Sequence, residues 1–392
     1  MKKKPKVAIL RGPLLNPFEM QNYERMQDEF EIVAFAPHET RFDLSAVALP
    51  QEILWCPIAG KTPFERPRRK WMALQDRVTG NTHSFCGLAD RLKGFDIYHI
   101  KDQPFCFSYE AALAKRKWGG RLLVTQMENI PFLNDNRLME RQTKRAVREQ
   151  TDLFLPANEA AARTLRLEGA PESKIRMISN GVDVRHFKPG PKDPALAASL
   201  GLPEDAFVAL YVGRLAKSKG IFTLLEAAKV ILARDPKLHL LLVGKDEEGV
   251  MDWARARGLG PHVHHAGFVS YDQMPRYYRL AQISVLPSIP TRGWIEQCPF
   301  VLLEAMACGV PPMGSNCGGI PESIGDDARV FEPGSVEGLA KVLTNLRAAY
   351  SPRLCRAVRD RAVKLYSTEV LTQKLRAIYR EALALPAGGG TA

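Results

Sequence analysis

Twice along this chain, short apolar runs alternate with longer segments of helical period, and that alternation restricts the fold more than any other feature. In the first half, strands are expected at 7–10, 31–36, 97–100, 122–125 and 152–156, with helices at 109–117 and 138–149 among them. The second half repeats the scheme, with strands at 206–212, 239–243, 263–268 and 283–287 and helices at 221–233, near 249–257 and near 272–281. Strand–helix–strand connections run successive strands parallel, so the expectation is an α/β protein of two doubly wound sheets with a crevice between them. The Pro- and Gly-rich run 187–194 marks the seam, giving domains over 1–190 and 191–366. The rest, 367–392, reads as a helix over 368–385 followed by a glycine-rich tail.

Several classes are set aside early. No apolar run approaches the roughly 20 residues of a spanning helix. The apolar stretch 7–10 that follows the basic N-terminus is far too short for a secretory core. A cytoplasmic protein is expected. The seven cysteines are odd in number and include no Cys-x-x-Cys pair, which argues against a disulfide framework and a zinc ribbon. A net charge of +12 suits anionic partners such as nucleotides, phosphorylated lipids or a membrane surface. With no helix-turn-helix, zinc or RNA-binding signature, nucleic acid is not an expected partner. The dinucleotide glycine fingerprint is missing, and the run from Gly213 to Gly220 fails the spacing of a P-loop.

The segment from Trp294 to Pro312 carries the most chemistry. A helix is expected to start near Pro299, tolerated in a first turn, and to stop at Gly309 with prolines just beyond. Glu304 then sits among almost wholly apolar helical neighbours, so its carboxylate must reach solvent or find partners. Glu296 stands eight positions earlier, so both carboxylates are expected to approach one site near the helix N-terminus. Amides there favour an anion such as a diphosphate, and polyol hydroxyls suit the carboxylates. The plainer reading is a surface-facing Glu304 and a capping Glu296; spacing and apolar context together favour the site. Upstream, Gly213 ends a strand and Arg214, Lys217 and Lys219 follow, placing cations where α/β folds bind ligands. Arginine offers bidentate phosphate contacts and lysine a compact charge, although Lys217 reads as solvated. Gly318 and Gly319 before Pro321 read as a turn opening another helix. No metal site is visible by spacing, and the adjacent His264 and His265 point to opposite faces of a strand.

These pieces occur in order: Gly213-Arg214, Lys219-Gly220, Leu241-Leu-Val-Gly244, Gly267-Phe268, Leu286-Pro-Ser288, Glu296-x7-Glu304 and Gly318-Gly-Ile-Pro-Glu322. Together they closely resemble glycosyltransferase family 4, and Asn180-Gly-Val-Asp183 with Phe187-Lys-Pro189 resembles the family's approach to its second domain. The resemblance covers residues from about 95 to 385. It implies a GT-B fold, two Rossmann-like domains facing a central cleft, and retaining chemistry with no essential metal. The co-substrate is a nucleotide-sugar, UDP-sugar ahead of GDP-sugar. By position, Arg214 and Lys219 would bind the diphosphate, Glu304 the ribose and Glu296 the donor sugar. The backbone near Phe268 would meet the nucleobase, and Gln297, Cys298, Pro299, Phe300 and Val301 would line sugar and phosphates. The terminal helix would cross back to the first domain.

Two departures accompany the resemblance. Glu128 stands about where many members place a His near the reacting sugar. A carboxylate there can hydrogen-bond a donor hydroxyl, orient the acceptor or stabilise an oxocarbenium-like state; an ordinary loop residue is the alternative. The glycine-rich first loop is replaced by a run in which Gly12 alone remains. Separately, residues 61–72 group five cations around Phe64 and Trp71, a candidate peripheral contact with an anionic membrane on its inner face, or a solvated loop. The expected function is transfer of a hexose to an acceptor hydroxyl on a glycan, lipid-linked or small-molecule acceptor, in cell-envelope or exopolysaccharide synthesis. The alternatives are a GT-B nucleotide-sugar epimerase and a non-catalytic nucleotide-sugar or nucleic-acid binding protein.

Overall fold

The computed structural model of the chain describes residues 3–38, 40, 42–54 and 87–386, so the basic segment 61–72 lies outside the described residues. The chain divides into two compact units, Met1–Ser179 with Glu369–Ala392, and Asn180–Thr368. The first contains a six-stranded sheet of β1 (Lys6–Leu10), β2 (Glu31–Pro37), β3 (Gln51–Leu54), β4 (Ile97–Lys101), β5 (Arg121–Gln126) and β6 (Leu153–Pro156). All pairings are parallel, in the order β3-β2-β1-β4-β5-β6. The second contains β7 (Phe207–Val212), β8 (Leu238–Val243), β9 (Val263–His265), β10 (Ile283–Leu286), β11 (Pro312–Ser315) and β12 (Val330–Phe331). Its order, β12-β11-β10-β7-β8-β9, is the same doubly wound scheme, again all parallel.

The cores follow from strand geometry. Along β1, Val7 and Ile9 enter one apolar cluster while Ala8 and Leu10 enter another, because successive side chains leave opposite faces. Both faces of a parallel sheet are covered by crossover helices, so β8 is buried at every residue and apolar at all but His239. The helix Thr368–Ala384 contributes Leu371, Leu375, Ile378 and Tyr379 to the core of the first unit. The division between units falls before Asn180 rather than at 190/191. Val182 exchanges backbone hydrogen bonds with Tyr366 and Thr368, and the wholly buried Phe187 packs edge-on to Tyr278, so this stretch belongs to the second unit. The strand expected over 263–268 stops at His265, leaving Phe268 in a loop. No helix among the described residues is long and apolar enough to cross a membrane.

Where a glycine-rich loop was looked for, after β1, the first unit instead buries an arginine. Asn16 caps the helix Pro17–Glu24 by accepting from the Glu19 amide, which fixes Glu19 beneath Arg11. Arg11 is fully buried; its Nε donates to Glu19 Oε1 (2.7 Å), Nη2 to Tyr23 Oη (2.6 Å) and Nη1 to the His99 carbonyl (2.9 Å). Lys101 Nζ reaches the other Glu19 oxygen at 3.1 Å. Burial alone would raise the Glu19 pKa, but Lys101 and Arg11 hold it down at about 2. Gly12, at φ +57°, follows in a tight turn, and a side chain there would run into the Phe107 ring. Replacing Arg11 with Met should lower the unfolding free energy by about 3–5 kcal/mol, because a buried carboxylate loses one of its two cations. Urea titration measures it; a loss under about 1 kcal/mol, the size of a surface pair, would contradict the account.

Candidate functional site

The second unit gathers its polar groups at the carboxyl edge of the sheet. β7 ends at Val212, and the following loop runs through a short 3-10 turn, Lys217–Lys219, into the helix Ile221–Leu232. The turn closes at Gly220, φ +69°, where a Cβ would lie 1.8 Å from the Pro287 carbonyl oxygen; only glycine fits. Lys219 is thereby pressed against the loop after β10. Its Nζ lies 2.7 Å from Glu296 Oε1 and 3.9 Å from the centroid of the Trp294 ring. Ser288 Oγ donates to the same Glu296 oxygen at 2.6 Å, and Ser315 Oγ donates to the Ser288 carbonyl at 2.5 Å. The Glu296 carbonyl accepts from the Gly319 amide, and a Cβ on Gly318 would sit 1.9 Å from that oxygen. One cation, one carboxylate and two hydroxyls therefore form a small, largely buried cluster held by close backbone contacts.

Glu304 has a different setting. It lies within the helix Phe300–Ala307, whose N-cap is Pro299, and Oε2 accepts from the Tyr278 hydroxyl at 2.7 Å. Burial pushes its pKa up to about 7, with the tyrosine hydrogen bond pulling the other way. The two carboxylates expected to approach one site thus have separate partners, Lys219 and Ser288 for Glu296, Tyr278 for Glu304. Arg214 also stands apart from the cluster. Its side chain is mostly exposed and pairs with Glu247 at 3.0 Å, although Tyr211 Oη fixes its carbonyl beside Gly213. Gln297 and Cys298 link Glu296 to the helix; Cys298 is buried, its thiol pushed up to about 12, and its carbonyl accepts from Asn180 Nδ2. Phe300 and Val301 form the first helical turn. Phe268 is 86% exposed.

Glu128 belongs to the first unit, just past β5. Asp102, itself at φ +56°, accepts from the amides of Met127 and Glu128 at 2.6 and 2.9 Å and so shapes the loop that presents Glu128. The Glu128 carboxylate is 3.1 Å from Lys144 Nζ, a buried lysine that also meets Asp135 at 3.3 Å and Glu168 at 3.6 Å. Burial pushes Glu128 up to about 8, against the opposing pull of Lys144. Sequence reasoning missed Ser288, Trp294, Tyr278 and Lys144. Ser288 ends one of the ordered motifs and Trp294 opens the segment 294–312, yet neither drew a role of its own, and nothing in the sequence distinguishes Tyr278 or Lys144 from ordinary helical residues. Among the described residues, no group of three or more His, Cys, Asp or Glu is placed to hold a metal ion.

Residues 192–362 match the family model described as glycosyl transferases group 1. The D-inositol 3-phosphate glycosyltransferase of Saccharomonospora viridis is 30% identical over 296 residues, covering 69% of this chain and 67% of that protein. D-inositol 3-phosphate glycosyltransferase 2 of Catenulispora acidiphila is 32% identical over 185 residues, 44% of this chain and 42% of its own length. With 57% of a third relative aligned, the chain spans about half the length of several curated relatives it matches. Among solved structures, Anabaena HepE in complex with UDP superposes with a TM-score of 0.76 at 18% identity, covering 96% of this chain and 100% of that one. That likeness shows a shared fold, the two-domain α/β arrangement called GT-B. The order of motifs, the fold and the extent of the alignment lead to one assignment: the chain belongs to the glycosyl transferases group 1 family.

Proposed function

We propose that this protein is a retaining family 4 glycosyltransferase, moving a hexose from a UDP-sugar to an acceptor hydroxyl. The observation that carries the reading is the Lys219–Glu296 pair, backed by Ser288 and Trp294 at the carboxyl edge of the second sheet. A cation already fixed there is preorganised for the charge that develops as the sugar–phosphate bond breaks. Lys219 steadies the leaving diphosphate. Arg214, on the same loop, reaches the same phosphates by exchanging Glu247 for them. Glu296 holds the donor sugar and Glu304 accepts from the ribose hydroxyls. Phe268 and its backbone meet the base, while residues 297–301 and Gly213 line the donor. Glu128 serves as an orienting carboxylate, and Gly12 shapes the loop after β1. UDP is favoured over GDP because the HepE complex contains UDP. The chemistry proceeds without a catalytic metal, in the cytoplasm, on a glycan, lipid-linked or small-molecule acceptor of envelope or exopolysaccharide synthesis.

Thermal denaturation with UDP, GDP and ADP tests the donor. UDP should raise the Tm by mass action. Lys219→Ala should fold normally yet lower transfer by about 10²–10³-fold, the usual loss when one charge-stabilising group is removed. Near-normal transfer in the folded variant would remove the proposed site.

The position of Glu304 gives a pH test. Ribose hydroxyls donate to the ionised carboxylate, so UDP affinity should rise from pH 6 to pH 8 as a group with pKa about 7 deprotonates. Without ligand the sign reverses. The raised pKa makes a stability contribution that is complete below the usual carboxyl value and lost as pH rises through about 7. Unliganded protein should therefore melt lower at pH 8 than at pH 6, and Glu304→Gln should flatten both profiles. Parallel profiles in variant and wild type would contradict the assignment.

A further inference from the structure

The second unit also has a cavity of about 400 Å³ that the donor site does not use. It lies at the opposite edge of the sheet. It is lined by Cys308 and Gly309, where the helix Phe300–Ala307 stops, by Ala281, just before β10, and by Val310, just before β11. Both strands begin here, whereas Ser288 and Ser315 stand at their far ends. The eight-residue helix between the cavity and the Glu296 loop is about 12 Å long.

The lining is cationic. Lys192, Arg279, Arg356 and Arg359 border the cavity against a single carboxylate, Asp360. Arg356 and Arg359 share one face of the helix Pro352–Arg361, three positions apart, with Cys355 beside them. Arg359 is committed to structure: Nη1 donates to the carbonyls of Phe187 (2.8 Å) and Ala307 (2.6 Å), and Nη2 donates to that of Val184 (2.8 Å). The bond to Ala307 sets a cation against the last carbonyl of the helix Phe300–Ala307, whose negative end would otherwise repel an anion. Arg279 donates Nε to the Lys188 carbonyl at 3.1 Å, and Gly190 has no side chain to crowd it. Lys192 and Arg356 differ: among the described residues no carboxylate pairs with either. Two exposed cations without a carboxylate partner, lining one cavity together with two arginines held in place by backbone carbonyls, form an arrangement suited to a multiply charged oxyanion.

We propose that this cavity binds a phosphate-bearing small molecule, at a site separate from the donor. The volume exceeds what one phosphate fills, so a phosphomonoester such as a sugar phosphate fits the space as well as the charge. The test is thermal denaturation of the full chain with millimolar inorganic phosphate or glucose 6-phosphate, against chloride of matched ionic strength. Wild type and Lys219→Ala should both gain about 2 °C or more. The Lys192→Gln/Arg356→Gln double variant, changed only at exposed positions, should lose the gain. A larger gain with glucose 6-phosphate identifies the ester as ligand; equal gains identify the phosphate group alone. As a second readout on the unmutated protein, alkylation of Cys355, mapped by peptide mass spectrometry, should slow several-fold with the same compounds. No gain with either compound, a gain retained in the double variant, a gain lost in Lys219→Ala, or unchanged Cys355 alkylation would overturn the proposal. Because Lys219→Ala retains the gain under this proposal, its failure and that of the donor site are read separately.

Discussion

A parallel sheet cannot join neighbouring strands by tight turns; every connection must cross over and return, and that requirement organises both units. Crossover helices cover the two faces, which makes β1 and β8 apolar almost throughout and leaves most polar chemistry to the strand ends and the loops beyond them. Strand order reverses beside the first strand of each sheet, between β1 and β4 in one unit and β7 and β10 in the other. Arg11 and Lys101 follow or end the strands at the first switch; Arg214, Lys219 and Ser288 follow those at the second. The fold therefore assigns the polar residues to their places before any ligand is considered.

The two units handle charge differently. In the first, cations and carboxylates neutralise one another inside the protein: Arg11 and Lys101 enclose Glu19, and Lys144 meets Glu128, Asp135 and Glu168. Such networks cost desolvation and are retained where geometry matters more than stability. In the second, the Lys219–Glu296 pair is small and sits on close glycine contacts, and Arg214 is still solvent-facing. A site of this kind can exchange its internal partners for those of a ligand without unfolding a core. Glu128 stands between these regimes, since burial and a single lysine compete over its protonation near neutral pH.

Periodicity revealed most of the strands because burial on both faces makes them dominantly apolar, as in residues 240–243 and, but for Ser284, 283–286. β3, β11 and β12 escaped it. Gln51–Leu54 is half polar, Pro312–Ser315 starts on proline and contains glycine, and Val330–Phe331 is only a bridge of two residues. Their strand character comes from neighbours, not from propensity. Lys219, Glu296 and Gly318 stand in motifs that the sequence singles out, but the pairing of Lys219 with Glu296 was not legible, since it depends on the Gly220 turn packing against the Pro287 carbonyl. The separation of Glu304 from Glu296 was not, since it depends on Tyr278, which arrives from another helix. The prolines at 187–194 mark a break in pattern, whereas the compact units divide before Asn180, where Val182 pairs with Ser367.

The central claim is that the carboxyl edge of the second sheet holds a nucleoside diphosphate at Lys219 and its ribose at Glu304. A crystal structure of the protein with UDP tests it most directly. The account predicts diphosphate oxygens within hydrogen-bond distance of Lys219 Nζ and ribose hydroxyls on the Glu304 carboxylate. UDP bound elsewhere, with the Lys219–Glu296 cluster and the Glu304–Tyr278 bond untouched by ligand, would contradict it.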